Sequence, residues 1–251
     1  MTNFEFIKYE NQDHIATLTM NRPKVLNAYH NAMLEEMRLV WREAKNDPDV
    51  WVIVLRGEGR GFCAGHDLTY TAEVFLEPPG LHYGDLDVFK PIIAGIHGAT
   101  LGGGASLAMA CDIRIAADNL VFGYPQVKMG VMSVGGHNWL PRSMHRGLAL
   151  EMLLTGDTIG AQRALELGLV NRVVPRAELD NALMELAQKI RNNAPLAVAA
   201  TKEAISGASR TSFRDGIALA RVISERLRNS EDAKEGLKAF QEKRKPSFKN
   251  R

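Results

Sequence analysis

The sequence is poor in cysteine, in uninterrupted apolar runs and in net charge, and each shortage excludes something. Two cysteines, Cys63 and Cys111, cannot build a disulfide scaffold and have no paired spacing for a structural zinc site, so a reducing, cytoplasmic setting is expected. No run of about 18 apolar residues exists, so no transmembrane helix is expected. The start, Met1-Thr2-Asn3-Phe4-Glu5, places an acid where a secretory signal would carry positive charge. The 31 Lys and Arg nearly cancel the 29 Asp and Glu, leaving a net charge of +2. That balance excludes the broad positive field of a dedicated nucleic-acid binder while permitting a local basic site for a phosphorylated small molecule. With 45% hydrophobic residues in 251, the chain can bury enough surface to offset the entropy of ordering.

What is present reads as α/β. Residues 4–9 and 14–20 form short β-rich runs around Asn11-Gln12-Asp13, a hairpin by its turn chemistry. Over residues 28–45, Met33, Met37, Val40 and Trp41 recur at helical spacing, and Asn46-Asp47-Pro48 ends the helix. Residues 51–55, 92–96 and 113–117 are continuous apolar runs, the pattern of strands covered on both faces. A helix of small residues is expected over 103–111. Strand, helix, strand in this order predicts a largely parallel sheet. The second half is helical over 148–154, 161–167, 176–192, 195–207, 212–228 and 231–243, with one brief strand at 172–174. Residues 1–194 are read as the core and 195–251 as a C-terminal helical region.

Two glycine-rich loops each follow a buried strand: Gly57-Glu58-Gly59-Arg60-Gly61-Phe62-Cys63-Ala64-Gly65-His66-Asp67, and Gly98-Ala99-Thr100-Leu101-Gly102-Gly103-Gly104. Ligands in parallel α/β sheets sit outside the carboxyl ends of the strands, where both loops lie. A dinucleotide turn is disfavoured by the glycine spacing, although Asp118 falls where a ribose-binding acid would sit, and a P-loop lacks its Lys and Ser or Thr. Gly104-Ala105-Ser106-Leu107-Ala108 approximates a nucleophile elbow, with His137 or His145 as base and Asp112 or Asp118 as orienter. A fourth reading uses both loops: the backbone amides of His66 and Gly103 converge on one carbonyl oxygen as an oxyanion hole, with the helix dipole behind Gly103. No metal site is read.

These segments together resemble the enoyl-CoA hydratase/isomerase, or crotonase, superfamily. The resemblance runs through Asn21-Arg22-Pro23-Lys24 with Leu26-Asn27-Ala28, Gly61 to Leu68, Lys90-Pro91, Leu101 to Gly104, Ala110-Cys111-Asp112 and Phe122-Gly123-Tyr124-Pro125-Gln126. It continues through Leu154-Thr155-Gly156-Asp157, Leu167-Gly168-Leu169-Val170, Phe240 and Lys243-Arg244. It implies a spiral of ββα units, a C-terminal helical trimerisation region giving a homotrimer or hexamer, and a coenzyme A thioester as substrate, with no permanently bound cofactor. It implies thioester-binding amides at His66 and Gly103, and coenzyme A lying along Lys24, Val25, Leu26, Ala28, Ala64, Asp67 and Leu68. Phe240 and Lys243 would reach its nucleotide end, where a Lys serves phosphate as a point charge.

The sequence departs from that pattern where the family's hydratases carry two glutamates, since Ser106 and Gln126 occupy those positions. Neither serves as a general base near neutral pH as a carboxylate does. The following loop, Val131-Met132-Ser133-Val134-Gly135-Gly136, is shorter than the hydratase version and lacks its proline. Losing carbon dioxide from a malonyl-type thioester needs an oxyanion hole and no protein base, with Tyr124, Gln126, Ser133 and His137 as hydrogen-bonding groups for the carboxylate. Other readings are a base from residues 69–89 (Glu73, Glu77, His82, Tyr83, Asp85 or Asp87), a catalytically degenerate acyl-CoA-binding paralogue, and a serine thioesterase or esterase built on Ser106. His137 also reads simply as a helix cap or packing residue, Ser106 as a small helix-packing residue, and both cysteines as buried small apolar groups.

Overall fold

Asp13 and His14 both adopt left-handed backbone angles, φ 52° and 65°, the conformation of a two-residue hairpin turn matched to strand twist. They join β1 (Ile7–Gln12) to β2 (Ile15–Met20); the turn therefore falls at the end of the expected Asn11-Gln12-Asp13, with Asn11 and Gln12 inside the strand. In the computed structural model, which describes residues 4–69 and 88–251, this hairpin edges a six-stranded sheet. The sheet continues through β3 (Val52–Gly57), β4 (Ile92–Ile96), β6 (Ile113–Ala117) and β9 (Arg172–Val174), in the order β1-β2-β3-β4-β6-β9. Only the hairpin is antiparallel; every other pairing is parallel, as the buried apolar runs predict.

Every residue of β4 is buried. One face packs on α6 (Leu179–Arg191), where a Cβ at Gly95 would lie 2.3 Å from Leu183 Cδ1, so the strand needs glycine there for the helix to approach. The other face joins the main core with Met33, Met37, Val40 and Trp41 of α1 (Asn31–Asn46). The helical spacing of those four residues is what places them there.

The helix expected from residue 28 begins at Asn31, because His30 caps it with its ring, accepting from the Met33 amide at 3.2 Å. Ala28 and Tyr29 are left extended. A second sheet, β5 (Ala99–Leu101), β7 (Val121–Gly123) and β8 (Thr158–Gly160), was not anticipated, since its strands are defined by pairing between segments distant in sequence. Next to β5 begins α2 (Gly103–Ala110), and α3 (Gly136–Ser143), α4 (Arg146–Thr155) and α5 (Ala161–Glu166) complete this layer.

Three helices follow: α7 (Pro195–Ala208), with its proline in the first turn, α8 (Phe213–Arg228) and α9 (Glu231–Gln241). Ser212 and Ser230 cap the last two through their hydroxyls. The last helix stops two residues short of Lys243, which takes φ 52°. Phe213 and Phe240, at 89% and 82%, are the most exposed large apolar side chains among the described residues. No helix among the described residues is long and apolar enough to cross a membrane.

Candidate active site

The two glycine loops are stitched into one layer by backbone hydrogen bonds. Phe62 N donates to His97 O at 2.8 Å, Cys63 N to Ala99 O at 3.0 Å, and Leu101 N returns to Cys63 O at 3.0 Å. On the other side, Ala64 N donates to Leu26 O, Tyr29 N to Gly65 O and Asp67 N to Tyr29 O, each at 2.9 Å. Residues 62–67 thus lie between residues 26–29 and β5, with parallel bridges at Tyr29–His66 and Cys63–Thr100.

Two polar clasps hold this arrangement. Asn27, fully buried and at φ 55°, accepts from Arg22 N and donates through Nδ2 to Glu58 O and Gly61 O at 2.9 and 2.8 Å. Arg22 pairs with Asp67 at 3.0 Å and also donates to Ala28 O. Hydrogen bonds from Thr69, then the Arg22 guanidinium, hold the Asp67 carboxyl below its usual range.

The loops meet where they must. Gly65, at φ 96°, packs so that a Cβ would lie 2.8 Å from Leu101 O and 3.2 Å from Gly103 N. A Cβ at Gly104 would lie 2.1 Å from Cys63 O. The start of α2 therefore seats directly on the first loop, next to the His66 backbone. Gly102 precedes this helix without supplying a side-chain cap, and the amide of Gly103 is among those a helix leaves without an intrahelical acceptor.

A cavity of about 420 Å³ opens here, within the range of small-molecule sites. Tyr29, Ala64, His66, Leu68, Gly103, Ser106, Gln126 and Ser133 contribute to its wall, with Met129, Val131, Met132 and Val134 as the apolar side. Among its described lining residues no side chain is an acid, Lys or Arg; Tyr29 and His66 are the ionisable ones. Burial holds the His66 imidazole below its usual pKa, against the opposing pull of Asp67, which favours the neutral ring. Gln126 lies against Gly102, and its Oε1 is buried with no hydrogen-bond partner among the described residues. The Ser106 hydroxyl donates to Gly102 O at 3.3 Å.

Other expected residues lie elsewhere. Lys24 and Val25 are exposed on the short turn Pro23–Val25. Leu26 and Ala28 contribute backbone to the layer rather than side chains to the wall. Tyr124 is buried, edge-on to Phe122 at 5.9 Å. His137 is exposed with Nδ1 3.0 Å from Ser133 O, while His145 Nδ1 accepts from Gly147 N. Neither histidine meets Ser106, so the esterase triad is not assembled among the described residues. Phe240 lies in the last turn of α9 and Lys243 beyond it, outside the cavity wall. Both cysteines are buried with thiols pushed up to about 12 by burial, as inert packing groups are. No cluster of metal-ligating side chains occurs among the described residues, and Glu73, Glu77, His82, Tyr83, Asp85 and Asp87 lie outside them.

Tyr29, like Met129, is a wall residue that sequence reasoning missed. A helix drawn from residue 28 hid it in a first turn; His30, three residues before Met33 and able to cap, was the available signal for a later start.

Residues 10–251 match the family model described as Enoyl-CoA hydratase/isomerase. The chain is 39% identical over 254 residues to a short-chain-enoyl-CoA hydratase of Clostridium acetobutylicum, covering 96% of this chain and 97% of that protein. It is 40% identical over 252 residues to a carnitinyl-CoA dehydratase of Proteus mirabilis, covering 94% and 95%. A solved enoyl-CoA hydratase from Mycobacterium tuberculosis H37Rv matches with a TM-score of 0.91 at 38% identity, covering 97% of this chain and 98% of that one.

Proposed function

The chain belongs to the enoyl-CoA hydratase/isomerase family, and from that premise we propose that it converts a malonyl-type coenzyme A thioester by loss of carbon dioxide. The thioester oxygen is held by the amides of His66 and Gly103. The bond from the α-carbon to the carboxylate breaks, carbon dioxide leaves, and the electron pair becomes an enolate whose charge rests on that oxygen. A proton then returns to the α-carbon. An amide donor of this kind contributes about 2.7–4 kcal/mol to the transition state, and the positive end of α2 favours the same charge.

The observation that carries this reading is a family cavity without a carboxylate in its described wall, with Ser106 and Gln126 at the positions of the family's hydratase glutamates. Water addition needs a base; enolate formation by losing carbon dioxide does not. The unpartnered Gln126 Oε1, beside Gly102, leaves the amide as a substrate-positioning group. Exposed Lys24 and Lys243 serve the phosphates of coenzyme A, which enters as part of the substrate, with Val25, Leu26, Ala28, Ala64, Asp67, Leu68 and Phe240 along its path. Ser133, in the cavity wall, belongs to the acyl end of the same proposal, while Tyr124 and His137 lie outside that wall. Residues 1–194 carry the site in this reading, and residues 195–251, with exposed Phe213, join copies into a trimer or hexamer in the cytoplasm.

The relatives' names, enoyl-CoA hydratases and a dehydratase, favour a second reading, hydration with a base from residues 69–89. Mass spectrometry on a panel of acyl-CoAs in deuterated water separates these readings. Loss of carbon dioxide from a malonyl-type member supports the proposal, water addition to crotonyl-CoA alone contradicts it, and free thiol would return the esterase reading.

A further inference from the structure

Resting on that enolate chemistry, we infer that the phenol of Tyr29 is the acid that delivers the proton to the α-carbon. Three observations converge on it. The Tyr29 hydroxyl touches the start of α2 so closely that a Cβ built on Gly103 would lie 1.8 Å from it. The ring stands beside the His66 ring, 5.1 Å between centroids, so it sits between the two residues whose amides hold the oxyanion. Its backbone is fixed on both sides, N–H to Gly65 O and C=O from Asp67 N, and the residue is only 4% exposed. An acid held this rigidly reaches one face of a planar enolate.

The chemistry selects Tyr29 over its ionisable neighbour. His66 is biased to the neutral imidazole by burial, and a neutral imidazole surrenders a proton far less readily than a phenol. The phenolate left behind lies at the positive end of α2, where anionic charge is stabilised. The O–H bond breaks, the α-carbon–hydrogen bond forms, and the phenolate recovers its proton from water. The hydroxide produced combines with the released carbon dioxide as bicarbonate, so atoms and charge balance.

The test is Tyr29→Phe, which removes one oxygen and keeps the ring, with methylmalonyl-CoA and propionyl-CoA as probes in deuterated water. The wild type places deuterium on one face of the α-carbon of propionyl-CoA. The variant is expected to label both faces and to lose α-proton exchange by about 10²–10⁴-fold, the range for a positioned acid or base, while keeping the wild-type far-ultraviolet circular dichroism spectrum. Single-face labelling at the wild-type exchange rate in the variant overturns the inference alone. A wild type that neither releases carbon dioxide nor exchanges α-protons overturns the enolate reading and this inference with it.

Discussion

Replacing Gly103 by alanine asks whether the start of α2 and the Tyr29 ring are as close as the structure places them. The new Cβ would lie 1.8 Å from the Tyr29 hydroxyl, 2.7 Å from Cζ and 2.9 Å from Cε1. Relief requires the buried ring to leave its place beside His66. Overpacking of this kind costs about 1–3 kcal/mol. If the Gly103 amide holds the oxyanion as proposed, its displacement would in addition cost about 10²–10³ in kcat, the effect of losing one such donor. The informative measurement is urea unfolding of four proteins: wild type, Gly103→Ala, Tyr29→Ala and the double variant. Tyr29→Ala removes all three clashing atoms, so Gly103→Ala is expected to cost its full amount beside Tyr29 and under about 0.5 kcal/mol beside Ala, a coupling typical of residues in contact. An equal cost in both backgrounds would refute the packing argument.

The Arg22–Asp67 clasp should be visible in the pH dependence of stability. Hydrogen bonds from Thr69 and the Arg22 charge depress the folded-state pKa of Asp67, so its contribution is complete above the unfolded value of about 3.9 and is lost as pH falls through the lower folded value. Asp67→Asn is expected to flatten the urea midpoint over that acid range, and an unchanged slope would count against the clasp. Asn27→Ala leaves Arg22 N, Glu58 O and Gly61 O without their partner and forces alanine to φ 55°. With about 1–3 kcal/mol for each buried polar group left unpaired, a loss above about 3 kcal/mol is expected by denaturation, and a loss below about 1 kcal/mol would show that the loop does not depend on it.

How much of this was legible in the sequence depended on length of signal. The strands at 92–96, 113–117 and 172–174 coincide with the observed ones, since a continuous apolar run flanked by turn residues is a local property. Helices of ten or more residues were likewise readable, and Ser212, Ser230 and Pro195 mark their starts. The strands β5, β7 and β8 were not, because β5 lies inside a glycine-rich loop and all three exist through pairing with distant segments. The proximity of the glycine loops could be argued from their place after buried strands. Tyr29 could not be placed in that way, because its position depends on left-handed Leu26 and Asn27 and on pairing with residues 65–67. The same limit applies to Asp67, whose partner Arg22 lies 45 residues away.

Enolate formation without a carboxylate base is tested directly by one measurement. Purified protein should be given methylmalonyl-CoA and crotonyl-CoA in deuterated water, and both products weighed by mass spectrometry. The expected result is propionyl-CoA, lighter than its precursor by carbon dioxide and carrying one deuterium, with crotonyl-CoA returned unchanged. Rapid conversion of crotonyl-CoA to its hydrated product, with methylmalonyl-CoA untouched, would contradict it.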